Sequence, residues 1–244
     1  MSTKEKSKAN PRLSDAPKTK GRPVASKAHR SNRAWIVRHV TDPYVQAATR
    51  QGYRSRAAFK LLEIDQKDRL LRPGSVVVDL GAAPGSWSQV AVERLGGVRP
   101  DGTLNGTVIA LDILPMEAIP GVTFIQGDFR EDEVMQALAD AMQGRKADVV
   151  LSDMAPNLSG ISAADAARSQ HLWELALDFA SQHLKPDGYL LTKTFHGSGH
   201  SQFVALLKRH FVRVLERKPA ASRQESAETY LLAQKLKAPA AVKP

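Results

Sequence analysis

The run Val76-Val77-Val78-Asp79-Leu80 passes without a break into Gly81-Ala82-Ala83-Pro84-Gly85, and a helical pattern opens at Ser86-Trp87. A strand that is apolar almost throughout has to be covered on both faces, and a turn that opens a helix carries the chain back over one of them. This stretch therefore constrains the chain to an α/β architecture. Gly81 lets the backbone turn tightly and Gly85 lets a ligand approach the main chain closely. The spacing is G-x-x-x-G and not the dinucleotide G-x-G-x-x-G, and the aromatic Trp87 stands at the helix start. Both features count against NAD. Glycines at a strand–helix corner also serve structure alone, so the turn does not identify a ligand by itself.

The rest of the chain repeats the alternation. Further strands are expected at Thr107–Leu111, Val122–Gln126, Asp148–Ser152, Tyr189–Thr194, Phe211–Leu215 and Thr229–Gln234, with the first over Ser75–Leu80. Helices are expected from near Arg54 through Ile64, and over Ser86–Arg94, Glu131–Met142, Asp165–His183 and Ser201–Arg209. Strands alternating with helices of this length indicate βαβ units. The expected fold is a Rossmann-like, mostly parallel seven-stranded sheet with helices on both faces. Only a Pro-, Ser- and charge-rich connection separates the last two strands, so an antiparallel final strand is expected.

Charge divides the chain. Residues 1–33 carry ten Lys/Arg against two acids, which is +8 of the formal +10, and they contain three prolines and no aromatic residue. Such a segment cannot bury enough apolar surface to offset its ordering entropy and is expected to be a disordered basic tail. A single domain is expected over 34–237, with a short disordered tail over 238–244. Strong basicity points to an acidic partner, nucleic acid first. There is no cysteine, which excludes disulfides and thiolate chemistry. No apolar run approaches the roughly 18 residues of a membrane span, and the charged N-terminus has no secretory h-region, so a cytoplasmic protein is expected.

Acidic residues close three successive strands: Asp79, Asp112 after Val108–Leu111, and Asp128 in Gln126-Gly127-Asp128-Phe129. Each alone reads equally as a solvated loop acid. Together they occupy the carboxyl edge where open α/β sheets bind ligands. Asp79 suits an ammonium group, Asp112 the two hydroxyls of a ribose, and Asp128 an adenine amino group. Lys193 is unusual in the mostly apolar Leu191–Phe195 unless that strand end is functional; the alternative is a lysine that snorkels to water. His196 and His200 have an i,i+4 spacing that zinc sites use on helices, but Gly197-Ser198-Gly199 does not hold a helix and no further ligand set is evident. No metal is expected.

Tyr53–Leu61, Asp79–Gln89, Gln126–Arg130, Ser152–Asn157, Lys193 and Ser222–Tyr230 occur in one order, and over about residues 35–236 the chain resembles the FtsJ/RrmJ-type large-subunit ribosomal RNA 2′-O-ribose methyltransferases, the RlmE family. The resemblance implies an enzyme that uses S-adenosylmethionine to methylate a uridine ribose in 23S ribosomal RNA within the large ribosomal subunit, acting as a monomer. Transfer RNA as substrate, or an assembly factor without chemistry, are the alternatives. The family's Lys-Asp-Lys-Glu tetrad falls on Lys60, Asp153, Lys193 and Glu228. Gly81, Gly85, Trp87, Asp112, Asp128 and Asp153 would line the cofactor site with Asp79, and the cluster Arg54, Arg56 and Lys60 would meet RNA. The chain departs from the bacterial pattern at Ser86, where a second glycine is usual, at Thr192 and Thr194, where valines are usual, and at Gln224-Glu225, which is usually basic. The implied chemistry suits a tetrad: a 2′-hydroxyl is a weak nucleophile, so alignment and control of one proton carry the reaction. Lys193 would serve either as the base or as a charged group that steers the hydroxyl's lone pair.

Overall fold

The computed structural model describes residues 40–157, 159–223 and 226–238. The expected basic tail over 1–33, Gln224-Glu225 and residues 239–244 lie outside the described residues. In chain order the elements are α1 (Pro43–Gln51), α2 (Ala57–Asp68), β1 (Val76–Leu80), α3 (Ser86–Arg94), β2 (Thr107–Asp112), β3 (Val122–Gln126), α4 (Asp132–Met142), β4 (Ala147–Ser152), α5 (Ser162–His183), β5 (Leu184–Phe195), α6 (His200–His210), β6 (Phe211–Arg217) and β7 (Glu228–Leu236).

The strands form one sheet in the order β3-β2-β1-β4-β5-β7-β6. Pairing is parallel from β3 through β5, and β7 runs antiparallel to both β5 and β6. The expected antiparallel final strand is therefore inserted between its two predecessors in space. Strand β1 is buried at every position, as its unbroken apolar run requires. Its side chains alternate between two cores. Val78 and Leu80 pack with Leu138 of α4, Trp173 and Phe179 of α5, and Phe203 of α6. Val77 packs with Leu61 and Ile64 of α2 and with Trp87 and Val90 of α3.

Strand order reverses at β1, with β2 on one side and β4 on the other. A crevice opens at the carboxyl ends of strands at such a switch point. Gly81, after β1, and Asp153, after β4, meet there: Asp153 N donates to Leu80 O at 3.3 Å, and Gly81 N donates to Leu111 O at 2.9 Å.

Several bounds shift by a few residues, as where the helix expected from near Arg54 through Ile64 is Ala57–Asp68, and two elements differ more. Helix α1 was not expected; Asp42 caps it by accepting from Tyr44 N at 3.0 Å, Pro43 opens it, and Gly52 closes it at φ 75°. Strand β5 begins at Leu184, directly after α5, because Leu184 pairs with Ala147 before a register shift reaches Val149–Tyr189. The Pro186-Asp187-Gly188 sequence that reads as a turn is absorbed into that irregularity.

Candidate active site

The turn after β1 is shaped by two glycines. At Gly81, with φ 74°, a Cβ would stand 2.5 Å from Met154 Cγ. At Gly85, with φ 105°, it would stand 2.6 Å from Ile119 Cδ1 and 2.7 Å from Met116 Sδ. Both positions need the left-handed backbone as well as the space. Ser86 fits the position where a further glycine is usual, since it is the first residue of α3 and its hydroxyl lies 2.6 Å from the hydroxyl of Ser55.

Beneath the turn, Asp79 is completely buried. Its Oδ2 accepts from Ser88 Oγ at 2.7 Å, whereas Oδ1 has no hydrogen-bond partner. Burial pushes its pKa up to about 7; the Ser88 hydrogen bond opposes this, and the charges of Asp153 and Asp112 add to it. A small cavity of about 20 Å³ adjoins it, lined by Asp79, Gly81, Pro84, Ser86, Trp87 and Asp153 among others. An unpaired buried carboxylate beside a cavity suits a cationic ligand group.

The other expected cofactor residues are placed less simply. Asp112 is buried and holds the loops around the crevice, with Oδ2 accepting from Ala83 N and Oδ1 from Leu114 N, both at 2.8 Å. Asp128 is gripped by Arg130, which donates Nε at 3.0 and 3.1 Å. That hydrogen bonding draws the Asp128 carboxyl down to about 2. Trp87 touches the small cavity but is chiefly core: it is 2% exposed, its Nε1 donates to Ala57 O at 2.9 Å, and it packs against Tyr230 at 5.6 Å between ring centroids.

The four expected catalytic residues converge from α2, the β4 end, β5 and β7. Lys60 Nζ lies 2.7 Å and 2.8 Å from the two oxygens of Glu228. Lys193 Nζ lies 3.2 Å from Asp153 Oδ1 and also donates to the Asp153 carbonyl. Antiparallel pairing sets Lys193 opposite Tyr230 and Phe195 opposite Glu228, so alternation puts Lys193, Glu228 and Tyr230 on one face of the sheet. Burial works to raise the Glu228 pKa, but the charge and hydrogen bond of Lys60, the Ser222 hydrogen bond and the charge of Lys193 outweigh it and lower it.

Tyr230 was not singled out from the sequence. Its hydroxyl donates to Asp153 Oδ1 at 2.9 Å, and Lys60 Nζ stands 5.8 Å from its ring centroid. Burial, with the charges of Asp153 and Glu228, raises its pKa far above the ordinary phenol value, so it remains a donor. Only its strand position opposite Lys193 reveals it, and that requires the pairing register.

Beside Lys60 and Glu228 opens a cleft of about 200 Å³ that is also lined by Arg56, Arg223 and Ser226. Arg56 pairs with Asp42 and donates to Ala221 O. Arg54, expected with it at an RNA surface, clamps two loops: Nη1 donates to Pro84 O at 2.9 Å and Glu117 O at 2.8 Å, and Nη2 to Ala118 O at 3.0 Å. The histidine pair also differs from expectation. His196 and His200 are brought together with Glu216 of β6, a third metal-competent side chain 16 residues further along the chain.

A sheet of this order, with a glycine turn after β1 and acids at the ends of β1, β2 and β4, defines the Rossmann-like methyltransferase class. Human methyltransferase-like protein 13, solved in complex with SAH, shares the fold at a TM-score of 0.51 and 16% identity over 72% of this chain and 81% of that one. Residues 53–236 match the FtsJ-like methyltransferase family, and the chain belongs to that family. It is 61% identical over 203 residues to ribosomal RNA large subunit methyltransferase E of Bordetella pertussis, covering 83% of this chain and 96% of that protein. With the protein of the same name from Burkholderia ambifaria the identity is 57% over 216 residues, covering 86% and 98%. The crystal structure of a ribosomal RNA methyltransferase of Plasmodium falciparum superposes at a TM-score of 0.66 and 32% identity, covering 75% of this chain and 98% of that one.

Proposed function

We propose that this chain transfers a methyl group from S-adenosylmethionine to the ribose 2′-hydroxyl of a uridine in 23S ribosomal RNA, in the assembled large subunit. The observation that carries the reading is the pair of ion pairs Lys60–Glu228 and Lys193–Asp153 at the carboxyl edge of the sheet, next to the glycine turn. Membership of a methyltransferase family and high identity to large-subunit methyltransferases support it.

The cofactor supplies a methyl group already activated by a sulfonium charge. The residues of the turn fit it: the unpartnered Asp79 oxygen would take its ammonium, and Asp112, at the neighbouring strand end, would face its ribose. Asp153 fixes Lys193, and Glu228 fixes Lys60. Lys193 then orients the 2′-hydroxyl: as the neutral amine it takes the hydroxyl's proton, and as the ammonium it steers the oxygen's lone pair toward the methyl group while the proton leaves to water; Lys60 completes the positive surface that seats the ribose. Tyr230 holds Asp153 from below. Arg56 and Arg223, on the cleft beside Lys60, contact backbone phosphates. Residues 1–33 act as a basic arm on RNA, and the protein works as a cytoplasmic monomer.

Incubating the purified protein, labelled S-adenosylmethionine and large subunits from cells lacking the activity tests this. Digestion and mass spectrometry are expected to find the label on the ribose of one uridine. Label on a base, preferential labelling of transfer RNA, or no transfer would contradict the assignment; the last outcome fits an assembly factor.

A further inference from the structure

His196, directly after β5, His200, at the start of α6, and Glu216, on β6, each bring one ligand atom to within 4.8 Å of the others. His196 Nε2 lies 2.8 Å from Glu216 Oε1, and the two imidazoles lie with centroids 4.7 Å apart and planes tilted by 42°. His200 is only 8% exposed, and its Nε2 is buried with no hydrogen-bond partner. A buried polar atom is rarely left unpaired in a native fold. His196 and Glu216 remain about half exposed, so an ion has a path to the cluster.

We propose that His196, His200 and Glu216 form a binding site for a divalent transition metal of the Zn²⁺ class. Two imidazoles and one carboxylate are the donor set that Zn²⁺ and Co²⁺ accept, with water completing the shell, and imidazole disfavours Mg²⁺ and Ca²⁺. At Zn–N and Zn–O distances of about 2.0–2.2 Å the ligand atoms come closer together than 4.8 Å. The two exposed side chains have the freedom to close that gap, and the chain supplies the hinge: Gly197 and Gly199 adopt φ 139° and 85°. Behind the carboxylate, Thr229 Oγ1 stands 3.1 Å from Glu216 Oε1 and 3.1 Å from Arg217 O, so its one proton is shared between the carboxylate and that carbonyl. Such support is what holds metal ligands in place.

The site is separate from the tetrad. Glu216 pairs with Leu231, and Thr229 and Leu231 alternate with Glu228 and Tyr230, so the cluster occupies the opposite face of β7. Bound metal would tie the β5–α6 turn, three residues beyond Lys193, to Glu216 of β6, which pairs with Leu231, three residues beyond Glu228.

The test uses the full chain without an affinity tag, stripped of metal by a chelator. Zn²⁺ is titrated by calorimetry, Co²⁺ by visible absorption, and the melting temperature is followed in each. One equivalent is expected to bind saturably, to give Co²⁺ a ligand-field spectrum of low coordination number, and to raise the melting temperature. His196→Ala and Glu216→Gln remove exposed groups and leave the fold standing; each is expected to weaken binding at least about tenfold. His200→Asn is expected to do the same, and His171→Ala, on an exposed face of α5, is expected to change nothing. Failure to saturate, affinity unchanged in both His196→Ala and Glu216→Gln, or loss of binding in His171→Ala overturns the proposal and leaves His196–Glu216 as a simple polar contact.

Discussion

At the scale of single residues, Asp79 carries the clearest physical signature. A carboxylate with one oxygen unpartnered and its pKa raised to about 7 is waiting for a positive charge. Because ionisation is disfavoured in the fold, the group's stabilising contribution is complete below its unfolded pKa of 3.8 and is lost as pH rises toward about 7. Asp79→Asn is therefore expected to flatten the fall in melting temperature of the cofactor-free protein over that window, by the equivalent of a few kcal/mol at most. It is also expected to weaken S-adenosylmethionine binding. In the wild type, binding near pH 7 should release a proton, seen as a calorimetric enthalpy that depends on the buffer. Parallel stability curves for the two proteins would show that Asp79 does not titrate there. Asp79 was legible from the sequence as a strand-end acid, but its missing partner was not, because that depends on Ser88 taking the other oxygen.

At the scale of elements, the crevice is built by cross-links between loops. Arg54 joins the turn after β1 to the segment before β3 through three carbonyls. Arg54→Ala is expected to lower stability by about 1–3 kcal/mol and to weaken cofactor binding, while leaving the salt dependence of RNA binding unchanged. A flattened salt slope with an unchanged melting temperature would return Arg54 to the RNA surface where its charge first suggested it. Asp112→Ala leaves Ala83 N and Leu114 N without acceptors, so it is expected to cost about 1–3 kcal/mol of stability in addition to cofactor affinity; calorimetry together with thermal melting separates the two. Elements set off by clear breakers, such as Ser86–Arg94 after the glycine turn and Val122–Gln126 between Gly121 and Gly127, were legible to the residue. Helix α1 was not: Ala48 is its one fully buried residue, and its bounds are set by the cap residues Asp42, Pro43 and Gly52, which the expectation did not use. The early start of β5 was hidden by Pro186-Asp187-Gly188, whose turn chemistry is overridden by pairing with β4.

At the scale of the molecule, strand order assembles what sequence separates. The tetrad was legible only through the family's motifs, since no local pattern brings Lys60 to Glu228 across 168 positions. Glu216 could not be placed beside His196 and His200 without knowing that β7 lies between β5 and β6. The charge distribution was plain from the start, with +8 of the +10 in residues 1–33. Deleting them is expected to leave melting temperature and cofactor affinity nearly unchanged and to weaken binding to large subunits. Each lost phosphate contact should reduce the log–log salt slope by roughly 0.7–0.9, and equal slopes for the full and truncated chains would remove the arm's role. The central claim is that the ion-paired lysines at the carboxyl edge move a methyl group onto a ribose oxygen. Single-turnover transfer to large subunits by wild type and Lys193→Ala, with cofactor affinity measured in parallel, tests it most directly. The expected result is a rate lower by about 10²–10⁴ in the variant with affinity preserved; a variant within a few-fold of wild type would contradict it.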